Sequence, residues 1–258
     1  MRVDDQGLSG RMSHGVDAVL QPNLIVGILG GMGPVASAEF VKTIYEEGIT
    51  TLEQHAPTIV LYSDPSFPDR TDALLAGNPQ PLLGRVGSAL QQLRGLGASA
   101  IIPCCVTVHH LLPWLPSELR ESVVSVLDVA IAELSESRGV YLMMCSSGTR
   151  AVQLFERQPN WNRVSPRVVF PDDRDQDTIH TDIINAIKRN AALDPLAARV
   201  DGLLHKYGAD GFVVGCTEMH VLAKYCRTRS RGRRIDAVDP LMALAQQIRA
   251  GHLTTVAS

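Results

Sequence analysis

The sequence predicts an α/β protein built from two similar halves, with parallel sheets covered by helices on both faces. Three observations carry that expectation. Short continuous apolar runs alternate with longer stretches of helical spacing, the texture of strand–helix–strand units. A segment repeats without a gap at an offset of 111, Gly97 to His109 against Gly208 to His220; each copy reads as Gly-Ala, a buried strand, a cysteine and, four residues on, a histidine. A fainter echo pairs Gly33 with Gly148 and Phe40 with Phe155 at an offset of 115. Halves related in this way suggest a pseudo-twofold axis. Ligands of open α/β sheets bind beyond the carboxyl ends of the strands. A twofold arrangement therefore sets Cys105 and Cys216 on opposite walls of one cleft.

The elements follow in order. Leu24-Ile25-Val26-Gly27-Ile28-Leu29 is apolar throughout, as in a strand buried on both faces. Gly30-Gly31-Met32-Gly33-Pro34 is a turn, and residues 35–47 then repeat at helical spacing. Strands are expected at 58–62, 100–102, 140–144, 167–170 and 212–214, and helices at 81–96, 117–135, 150–157, 178–189, 198–207 and 240–250. Residues 63–71, rich in Ser, Asp and Pro, form a loop. The repeat divides the chain into one subdomain of residues 24–121 with 223–258, completed by the C-terminal helix, and a second of residues 122–222. Residues 1–23 mix charges with no apolar core, so they read as a disordered leader and not a secretory signal, with Met12 a second candidate start.

Composition narrows the function classes. With 258 residues, 45% hydrophobic and 20% charged, the chain can bury a sizeable core. A net charge of −3 speaks against a nucleic-acid binder, and the basic run Arg227 to Arg234 reads as a solvated loop. No apolar run reaches the length of a membrane span. Five cysteines without a CxxC pair argue against a disulfide framework and place the protein by default in a reducing cytoplasm.

Two facing cysteines suit one kind of chemistry. A thiolate can take a proton and a thiol can give one, so a pair on opposite sides of a carbon can invert it without a pyridoxal cofactor. The carbanion needs cations on the substrate carboxylate, donors to the developing enolate and a site free of water.

Gly30-Gly31-Met32-Gly33-Pro34, Pro68-Asp69-Arg70-Thr71, Pro171-Asp172-Asp173-Arg174-Asp175-Gln176 and Gly215-Cys216-Thr217-Glu218 occur in this order. Together with the cysteine repeat, they resemble the cofactor-independent aspartate/glutamate racemase superfamily, aspartate racemase branch, from about residue 24 to about residue 244. The resemblance implies two flavodoxin-like subdomains, an active site between them, a homodimer, no cofactor and no metal. It places the catalytic thiols at Cys105 and Cys216, preferring Cys105 to Cys104 by gapless alignment. It puts substrate carboxylates on Arg70 and Lys188; arginine binds them bidentately, which suits a second carboxylate on the substrate. Met32 and the glycine turn line the cleft near a helix start, Thr107 and Thr217 donate hydroxyls, and His109, Glu218 and His220 support the thiols from behind. The family's Asn after the first cysteine is Val106 here. The loop start Ser63-Asp64 and the residue Asn185 also depart from the pattern. Val106 on the ligand wall would imply a substrate whose head is apolar or modified at that point.

Other readings stand beside this one. The two Cys-x-x-x-His segments also fit a Cys₂His₂ zinc site, although structural zinc favours short loops over two buried strands. Cys104, Cys145 and Cys226 read as small core residues. The same framework can run another carbanion reaction, a decarboxylation or an isomerisation, or bind a ligand without chemistry. Two retained cysteines favour racemisation, since one-sided protonation needs a single thiol.

Overall fold

A computed structural model describes residues 24–48, 52–228 and 235–253. The leader, Met12 and Arg229 to Arg234 lie outside the described residues. Two parallel sheets form. The first has the order β2-β1-β3, with β1 Ile25–Gly30, β2 Thr58–Ser63 and β3 Ala100–Pro103. The second has the order β5-β4-β6-β7, with β4 Tyr141–Cys145, β5 Val168–Val169, β6 Gly211–Gly215 and β7 Asp236–Val238. In each half the first strand is central, its successor lies on one side and the cysteine-bearing strand on the other. The correspondence extends further. Val123 forms an isolated parallel bridge to Ile101, as Ala237 of β7 pairs with Phe212 of β6. A helix follows each, Val126–Glu136 in the first half and Pro240–Arg249 in the second.

Apolar side chains sort by the twofold alternation of the strands. Val26, Ile28, Ala100, Ile102, Tyr141, Met143 and Val213 point into a central cluster shared by both halves. Leu29 and Ile101 point to an outer cluster of the first half, and Leu142, Met144, Phe212 and Val214 to one of the second. The two terminal helices lie across this centre. Pro240–Arg249 packs along Pro34–Gly48 of the first half, while Val126–Glu136 packs on Pro240–Arg249, β7 and Trp161–Val164. Each half's last helix thus lies against the other half. Lys224 adds a polar tie, donating to Glu39, Glu46 and Thr43 of the first helix. No helix among the described residues is long and apolar enough to cross a membrane.

Several elements differ from expectation. The helix over 117–135 is two, Ser117–Arg120 and Val126–Glu136. Between them the chain runs beside β3, with Ile101 N donating to Ser122 O at 2.6 Å and Val124 N to Ile101 O at 2.8 Å, before Ser125 caps the second helix. The helix over 150–157 is Ser147–Ala151, started by a Ser146 cap and ended before Gln153 at φ 51°. The helix over 178–189 is Asp173–Thr178, a π turn Ile179–Ile184 and Asn185–Lys188. The helix before β6 starts at Leu193. Strand β7 and the helix Glu218–Thr228 were not expected. β7 belongs to the second sheet, although it lies within the 223–258 stretch grouped with the first subdomain.

Candidate active site

Both thiols sit just past matched strand ends, Cys105 after β3 and Cys216 after β6, with 7% and 8% exposure. Cys105 packs in the first half's outer cluster with Met32 and Phe67, and Cys216 in the second half's with Met219. Cys104 points the other way, into the central cluster. Arg70, within electrostatic reach of both thiols, stands at the start of the helix Arg70–Leu75 capped by Asp69. Its guanidinium donates to the carbonyls of Met32 and Pro68. Burial opposes its charge, but Cys105, Asp69, Glu218 and Cys216 together hold its pKa above the ordinary arginine value. Lys188, half-buried after the π turn, faces the same space: it favours the thiolate of Cys216 and the carboxylate of Asp69, and disfavours the charged form of His180.

The chain packs closely here, within the first half and across the halves, and glycines permit it. Gly31, at φ +86°, leaves no room for a side chain, since a Cβ would fall 2.2 Å from Asp64 N. A Cβ on Gly33 would lie 1.9 Å from Glu218 Oε1, across the halves. Its repeat mate Gly148 lies against Thr71, with 2.8 Å from an added Cβ to Thr71 Oγ1. Glu218 is 1% exposed. Its Oε2 accepts from Cys216 Sγ at 2.8 Å, while Oε1 is buried without a partner. Burial first, then the Glu218 charge, push the Cys216 thiol well above the ordinary range; Lys188 opposes them.

The histidines hold structure. His109 Nε2 accepts from Val126 N at 3.1 Å, so Nδ1 carries the proton and faces the carbonyls of Cys105 and Val106 at 3.2 and 3.1 Å. Burial keeps His109 below the ordinary histidine pKa, in this neutral form. His220 Nδ1 meets Asp239 Oδ2 at 2.8 Å, and its Nε2 meets Thr43 Oγ1 at 2.9 Å. Asp239 in turn caps Pro240–Arg249, accepting from Leu241 N and Met242 N. Each repeat histidine therefore ties its thiol segment to the first turn of the helix that crosses to the other half. Both ring nitrogens of both histidines are taken by the protein, which leaves none for the zinc alternative. Among the described residues no group of three or more His, Cys, Asp or Glu is placed to hold a metal ion.

Three expected ligand contacts are used otherwise. Val106 is 2% exposed and packs in the central cluster beside Cys104, so it serves as core between the halves rather than as a wall against a ligand. Residue 106 therefore implies no apolar or modified head on the substrate. Thr107 is enclosed by Ser146 Oγ at 3.1 Å and Thr149 Oγ1 at 2.8 Å. Thr217 gives its proton to Cys104 O at 3.2 Å. These hydroxyls stitch the halves together below the thiols. Ser146, Thr149 and Asp239 were missed by sequence reasoning, and Gln176, there a motif residue without a role, is buried with its Nε2 donating to Cys145 O at 2.9 Å. The Gly33–Gly148 echo already marked the Ser146 turn as the mate of the glycine turn, and Asp239 before Pro240 is a helix-start signal.

The family described as Asp/Glu/hydantoin racemase matches residues 29–248. Solved structures share the fold. An aspartate racemase from Picrophilus torridus superposes with a TM-score of 0.71 at 22% identity, over 89% of this chain and 100% of that one. An aspartate racemase homologue from Pyrococcus horikoshii OT3 gives 0.63 at 17%, over 86% and 96%. A glutamate racemase from Francisella tularensis subsp. tularensis SCHU S4, in complex with D-glutamate, gives 0.55 at 13%, over 92% and 85%.

Proposed function

Because the chain belongs to the Asp/Glu/hydantoin racemase family, we propose that it racemises or epimerises an acidic amino acid, or a derivative of one, without pyridoxal phosphate. One thiol removes the α-proton and the other returns a proton from the opposite face. The observation that carries this reading is the pair Cys105 and Cys216, buried just past matched strand ends, with Arg70 held by the carbonyl of Met32, which packs in the same cluster as Cys105. Arg70 and Lys188 hold the substrate carboxylates. Arg70 arrives pre-oriented by two backbone carbonyls, which fixes the fork before a ligand binds. A cation at the α-carboxylate stabilises the enolate that forms when the α-proton leaves, and burial of both thiols excludes the water that would quench it. His109, Glu218 and His220 hold the thiol segments in place. The same proposal takes the two halves, the first centred on β1 and the second on β4, as the walls of the cleft, and the protein as a cytoplasmic homodimer acting on a small carboxylate substrate.

Proton NMR of D- and L-aspartate, glutamate and their derivatives in deuterated water tests this. Racemisation predicts loss of the α-proton signal from both enantiomers of one substrate, with interconversion on a chiral column. A decarboxylase or isomerase would change the carbon skeleton or its connectivity instead. An intact α-proton on every candidate, with the protein folded, would overturn the reading.

A further inference from the structure

The two thiols are matched by the repeat and nearly equal in exposure, at 7% and 8%, yet their neighbours two residues on are not alike. At that position the first half has Thr107 and the second has Glu218. The Thr107 hydroxyl is turned away from Cys105 and held by Ser146 and Thr149. Glu218 instead folds back on its cysteine, with the Cys216 thiol donating to Oε2 at 2.8 Å. Its other oxygen is buried, has no partner, and fills the space that Gly33 leaves by having no side chain. The carboxylate is thus fixed from both sides of the cleft and has one proton donor, the Cys216 thiol.

We propose that this broken symmetry sets where the protons rest: in the ligand-free protein Cys216 stays a thiol, its S–H donated to the Glu218 carboxylate, and Cys105 is the base that takes the first α-proton. This rests on the two-thiol reading. The charged and titratable neighbours of Cys216 agree with it. Burial and the Glu218 charge hold the proton on sulfur, Cys105 from the other half adds to them, and the cations Lys188 and Arg70 oppose, Arg70 being coupled more strongly to Cys105 than to Cys216. On the other wall, Cys105 is the neighbour that most supports the charge of Arg70.

The proton balance follows. The Cα–H bond breaks toward Cys105 Sγ, its electron pair passes into the enolate, and Cys105 becomes a thiol. The Cys216 S–H bond breaks toward the opposite face of Cα and leaves a thiolate beside the Glu218 carboxylate. Those two like charges in a buried site disfavour this form. The resting form returns when Cys105 releases its proton to water and Cys216 takes one from water. The protein therefore rests ready for the enantiomer whose α-hydrogen faces Cys105. Because free enantiomers are equally stable, both directions share one kcat/KM, and the asymmetry appears in kcat and KM separately.

Iodoacetamide labelling of the ligand-free full-length protein, quenched at intervals and read by peptide mass spectrometry, tests the proposal without using activity. Nearly equal exposure makes the labelling ratio report the thiolate fraction. At pH 8, Cys105 is expected to react at least about tenfold faster than Cys216. Glu218→Gln is expected to speed Cys216 and shrink that ratio to within about threefold. Equal labelling of the two in the wild-type protein, or faster labelling of Cys216, overturns the proposal, whether or not the variant folds. A labelling ratio as expected beside intact α-protons in every candidate substrate would sink the racemase reading and leave the thiol asymmetry standing.

Discussion

Replacing Gly33 by alanine probes the contact on which the second thiol depends. The added Cβ would lie 1.9 Å from Glu218 Oε1 and 3.0 Å from its Cδ, and next nearest to Ala36 Cβ at an ordinary 3.8 Å. Glu218 must swing away. At 1% exposure it has no solvent to swing into, and the movement breaks its 2.8 Å bond from Cys216. Losing a hydrogen bond to a charged group costs about 1.5–3 kcal/mol, and forcing a methyl into a packed interior costs about 1–3 kcal/mol. The two overlap, so Gly33→Ala should destabilise by roughly 2–4 kcal/mol. In a Glu218→Ala background the obstacle is gone. The same change should then be neutral, or stabilising by about 0.5 kcal/mol through the stiffer unfolded chain. Urea unfolding of the wild type, both single variants and the double variant gives the coupling energy, expected at about 2 kcal/mol or more. An equal effect of Gly33→Ala in both backgrounds would refute the idea that the glycine exists to receive the carboxylate.

Other outcomes follow from the same contacts. His109 has a depressed pKa and is neutral in the fold, so its contribution is present above the unfolded value of 6.5 and lost as pH falls; His109→Gln should flatten the acid limb of stability below about pH 6.5, measured by urea midpoints. Burial pushes Cys145 from an ordinary 9.0 to about 12, so the unfolded chain ionises first as pH rises. Stability should then fall by about 1.4 kcal/mol per pH unit on its account above pH 9, and Cys145→Ala should reduce that slope. Val106→Asn puts an amide into the central cluster and should destabilise by about 1–3 kcal/mol without raising turnover of aspartate or glutamate; a gain in turnover would return residue 106 to the ligand wall.

The strands were legible because most of them are buried on both faces, so that Ile25–Gly30 or Gly211–Gly215 reads as an unbroken apolar run. β7 was not, being three residues long with Asp236 exposed at its start. The break at 121–125 was hidden because Val123, Val124 and Val126 fit a helical spacing as well as the extended bridge they make. The exchange of terminal helices depends on which apolar face each finds in three dimensions, and local periodicity carries no record of that. At the site, the repeat marked the two matched strand ends and the histidines four residues on. The side-chain directions of Val106, Thr107 and Thr217 were out of reach. Neighbours at the start of a helical turn diverge by about 100°, and a single residue's rotation decides between ligand and core. Glu218 was visible as a motif residue, but its unpartnered oxygen and its fit to Gly33 exist only once the halves meet.

The central claim is that two thiols act from opposite faces of one carbon. The most direct measurement follows α-proton exchange in deuterated water for each enantiomer of the best substrate, with wild type, Cys105→Ser and Cys216→Ser compared under identical conditions. The account predicts that neither variant interconverts the enantiomers, because a hydroxyl is far too weak a base, and that any residual exchange in a variant is confined to the enantiomer facing its remaining thiol. Full racemisation by either variant, or loss in Cys104→Ser with Cys105→Ser unaffected, would contradict it.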